Sequence, residues 1–81
     1  MKHAREDYDR IQDPEGKIPE DEPVFLLRAQ DAVAPGVVEM WALAAYNAGA
    51  DDNIVQLAYE QAQLMRKWQV QHGNKVPDMP K

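Results

Sequence analysis

From Val37 to Trp68 apolar residues recur at spacings of three and four, with one interruption at Ala48-Gly49-Ala50-Asp51. That period belongs to the α-helix, so the stretch predicts two helices. The interruption is too short to do more than reverse the chain, which makes the helices antiparallel neighbours. Gly49 suits a left-handed C-terminal cap, and Asp51 or Asp52 suits the N-cap that follows.

The first helix is capped by Asp31 with Pro35 in its first turn, or it starts at Pro35 itself, because the residue before a proline disfavours helix. It runs to about Ala48. After Gly36 its only polar side chains are Glu39 and Asn47. Val37, Met40, Trp41 and Ala44 line one face, while Val38, Leu43, Ala45 and Tyr46 cover much of the rest. A helix apolar nearly all round has to be surrounded, and one partner helix cannot surround it. A homo-oligomer, a dimer or higher, is therefore expected, with Val37, Val38, Met40, Trp41, Leu43 and Ala44 at its interface.

The second helix, about 52–71, is amphipathic. Ile54, Leu57, Ala58, Ala62, Met65 and Trp68 are expected inside, and Gln56, Tyr59, Glu60, Gln63, Arg66 and Lys67 outside. Arg66, Lys67 and His72 suit the negative end of its dipole, and Gly73 ends it.

Before the helices, Val24-Phe25-Leu26-Leu27 is apolar without alternation. Its β-branched and aromatic content favours an extended strand, with a helix beginning at Pro23 as the rival. Asp13-Pro14-Glu15-Gly16 has the residues of a tight turn. Pro19 and Pro23 bracket Glu20-Asp21-Glu22, an expected extended link. Ala4, Tyr8 and Ile11 form a thin stripe that permits either a short docked helix or a frayed arm. The expected fold is mainly α: an antiparallel helical hairpin (23–73) after an irregular acidic arm (1–22) and a short extended segment or strand, with an extended tail (74–81).

Composition narrows the chemistry. The 81 residues include no serine, threonine or cysteine, so Ser, Thr and Cys nucleophiles, disulfides and thiolate metal sites are excluded, and only Lys, Tyr, His or a carboxylate could attack a substrate. The only imidazoles, His3 and His72, lie at opposite ends of the chain. Aligning Gly16 with the glycine of a calcium loop brings Asp13, Glu15, Ile18 and Glu22 near ligand positions. The first ligand position then falls on Ile11, where that loop needs an aspartate. No metal, no cofactor and no enzymatic activity are expected.

Net charge is −5, with eight acids against four bases in residues 1–22. There is no basic stripe to displace counterions from phosphates, so direct nucleic-acid binding is not expected. An acidic surface of this kind fits solubility or a basic protein partner. Residues 1–7 lack the apolar core of a secretory signal, and Ala32–Ala50 is too interrupted to span a membrane, so a cytoplasmic location is expected.

One small polar set stands apart. Arg28, Gln30 and Asp31 lie between the apolar run and the first helix. An Arg28–Asp31 contact there would fix the entry of the chain into the helix. The alternative role is ligand binding, with the guanidinium on a nucleotide or other small anion at a subunit interface and Tyr46 or Tyr8 stacked on a base.

The block Asp21-Glu22-Pro23-Val24-Phe25-Leu26-Leu27-Arg28-Ala29-Gln30-Asp31, followed by Ala34-Pro35, Trp41 and Trp68, resembles a group of small uncharacterised proteins of proteobacteria and their phages. The resemblance covers about residues 21–69 and brings no site or activity with it. It implies a setting: an accessory protein, phage-borne or prophage-borne, that binds and modulates a host protein.

Overall fold

The computed structural model describes residues 4, 5, 7 and 12–79. The expected stripe of Ala4, Tyr8 and Ile11 falls mostly outside them. The chain separates into two compact units, one of residues 27–77 and one of residues 1–26 with 78–81. Among the described residues there are two helices, α1 (Ala34–Asn47) and α2 (Asp52–His72), and no sheet.

The caps explain the helix limits. At the end of α1, Gly49 takes φ 88°, a conformation glycine enters without steric cost. The Gly49 N–H donates to Tyr46 O at 3.0 Å and the Ala50 N–H to Ala45 O at 2.9 Å, so two orphan carbonyls of the last turn are satisfied. The Asp51 side chain then accepts from the Asn53 N–H at 2.8 Å and opens α2. Gly73, at φ 86°, closes it.

The start of α1 departs from expectation. Val33, not Asp31, occupies the N-cap, with no side-chain cap. The entry is held from outside instead. Lys75 lies parallel to Asp31, donating to Gln30 O at 2.9 Å and accepting from the Ala32 N–H at 2.7 Å. Gln69 Nε2 on α2 donates to Ala29 O at 2.9 Å and Asp31 O at 3.1 Å. Residues just past α2 thus meet residues just before α1, which makes the pair a closed antiparallel hairpin.

Between the helices the contact is made by small side chains. Ala42, Val55 and Ala58 form a cluster, with Val38, Ala45, Ala50 and Tyr59 packed against it. Ala34, Ala62 and Met65 are also buried, but among the described residues no large side chain is fully buried. Alanines allow close approach of two helices. They also leave no room between them for leucine or tryptophan. The inward positions expected on α2 are corrected accordingly: Ile54, Leu57 and Trp68 are exposed, and the buried stripe is Val55, Ala58, Ala62 and Met65.

In the other unit, the Gly16 N–H donates to Asp13 O at 3.0 Å and completes the expected turn. The Asp13 carboxylate accepts from the Lys17 and Ile18 N–H groups at 3.0 and 3.1 Å. Local backbone amides thus engage the carboxylate weighed above as a calcium ligand. The stretch between Pro19 and Pro23 is not extended throughout, because the Glu22 N–H turns back to Pro19 O at 3.1 Å. Val24–Leu27 is neither helix nor a strand of a sheet.

Two outcomes test this packing. Gln69→Ala removes the side-chain donor of Ala29 O, while Asp31 O keeps the Ala34 N–H at 3.0 Å, and costs about 1–3 kcal/mol in urea unfolding. Ala62→Leu forces the helices apart and costs about 1–3 kcal/mol, whereas Gln61→Leu, one position away on the surface, is close to neutral for the hairpin itself.

Candidate interaction surface

Two regions concentrate the residues singled out by sequence. The first is the clamp at the entry to α1. Arg28 O accepts from the Asp31 N–H at 3.0 Å, and Gln30 is held through its backbone to Lys75. Asp31 is only 7% exposed, and its Oδ1 has no hydrogen-bond partner among the described residues. What the structure shows of this set is main-chain bonding that locks a turn. Tyr46 lies elsewhere. It is twelve residues beyond Ala34 on α1, about 18 Å farther along the helix axis at 1.5 Å per residue. Within one chain, Arg28 and Tyr46 do not meet around a shared ligand.

A shallow groove of about 560 Å³ runs beside the same end of α1, lined by Val33, Gly36, Val37, Met40 and Arg66 among others. It is open and holds no cluster of titratable groups. Among the described residues there is no set of three or more His, Asp or Glu side chains placed to hold a metal ion.

The second region is built by the hairpin as a whole. The Arg66 guanidinium donates to Glu39 Oε1 at 2.8 Å, an ion pair that marks one edge of the seam between the helices. Two residues farther along a helix is a rotation of about 200°, which is nearly the opposite side. Trp41 and Trp68 follow Glu39 and Arg66 by two residues each. Both tryptophans therefore lie along the opposite edge of the seam, one from each helix.

Extending that edge along both helices gathers six of the ten large apolar side chains exposed on α1 and α2. Val37, Trp41 and Ala44 supply it from α1. Ile54, Leu57, Leu64 and Trp68 supply it from α2, with Leu57 59% and Leu64 57% exposed. The Trp68 ring stacks on His72 with centroids 4.5 Å apart. The surface holds no charged side chain. From the side-chain areas and exposures it amounts to about 500 Å² of apolar area, at the upper end of what a monomer exposes without using it.

The six α1 residues expected at an interface are thereby sorted by position. Trp41 and Ala44 lie on this shared edge, Val37 borders it and with Met40 also lines the groove beside Arg66, Leu43 is exposed, and Val38 packs against the alanine cluster. On the α2 half, the spacing and size of Ile54, Leu57 and Trp68 are the sequence signal of this surface, although the same features predict a core position.

No protein-family model, curated protein or solved structure matches the chain.

Because the edge lies outside the hairpin core, Leu57→Gln and Leu64→Gln should leave the helix content by circular dichroism unchanged under dilute conditions. A loss of half the helical signal in either variant would place these leucines inside the fold.

Proposed function

We infer that the protein is a small, non-enzymatic, self-associating binding protein whose work is done by contact rather than by chemistry. One observation carries the reading: the hairpin hides alanines and leaves its tryptophans and leucines outside. Burying a leucine or tryptophan side chain is worth about 1.5–3 kcal/mol. A chain that leaves a contiguous set of them in water gains most of its remaining stability by covering them. The lack of serine, threonine and cysteine supports the same reading from the side of chemistry.

The acidic first unit, with Glu15, Glu20, Asp21 and Glu22 exposed, suits a basic partner surface. The resemblance to small proteobacterial and phage proteins supports a host protein as that partner, met by the assembled form in the cytoplasm. No helix among the described residues is long and apolar enough to cross a membrane.

Light scattering on the full chain at micromolar concentration tests the reading. The expected mass is two or more chains of 9.2 kDa. A folded species of 9.2 kDa that persists at that concentration removes the self-association on which the reading rests.

A further inference from the structure

We draw no further inference here: the strongest candidate, the exposed apolar outer face of α2 formed by Ile54, Leu57, Leu64 and Trp68, carries nothing because nothing in the structure shows what covers it.

Discussion

The size of the side chains between the two helices governs this molecule. The seam is built from Ala34, Ala42, Ala58 and Ala62, with Val55 and Met65 the bulkiest buried apolar residues. Close approach buries backbone and methyl groups well, but it sends every larger side chain to the outside. The exposed edge of Trp41, Leu57, Leu64 and Trp68 is therefore a consequence of how the hairpin closes, not a defect at its surface. A unit of this length has little other apolar surface to bury, which is why small domains usually recruit a partner or a staple.

Polar contacts then fix how the hairpin closes. Gln69 occupies the last position of the inner stripe, where an apolar residue would be the simple choice. Its amide instead ties the carbonyls of Ala29 and Asp31 to α2, and Lys75 adds two main-chain bonds on the same turn. The helices are joined by the Gly49 cap at one end and by this clamp at the other. Sliding of one helix along the other would break both. The Glu39–Arg66 pair is half-exposed and adds little stability of its own.

Much of the hairpin was legible in the sequence, because its punctuation is local chemistry. Gly49, Asp51 and Gly73 adopt the roles their side chains suggest, and the surplus of apolar residues was plain from composition. Which α2 face turns inward was legible only in part. Ala58, Ala62 and Met65 are buried as expected, but Ile54, Leu57 and Trp68, expected beside them, are exposed. Residue size favours the stripe Ile54-Leu57-Leu64-Trp68 over Val55-Ala58-Ala62-Met65. The structure chooses the second because α1 offers alanines opposite it, a pairing that no single helix reveals. Asp31 was expected as a cap for a similar reason. Its type fits, but the backbone of Lys75, distant in sequence, takes over the task. The clamp also holds Arg28 and Gln30 at one end of α1 while Tyr46 stands at the other, a separation set by helix length.

The central claim is that folding and association draw on the same surface. It is tested most directly by thermal unfolding followed by circular dichroism over a hundredfold range of protein concentration. If association stabilises the fold, the midpoint rises by several degrees across that range, as mass action requires of a protein whose stability includes its partner. A midpoint independent of concentration would mean that the isolated hairpin carries all the stability there is, and would contradict the account.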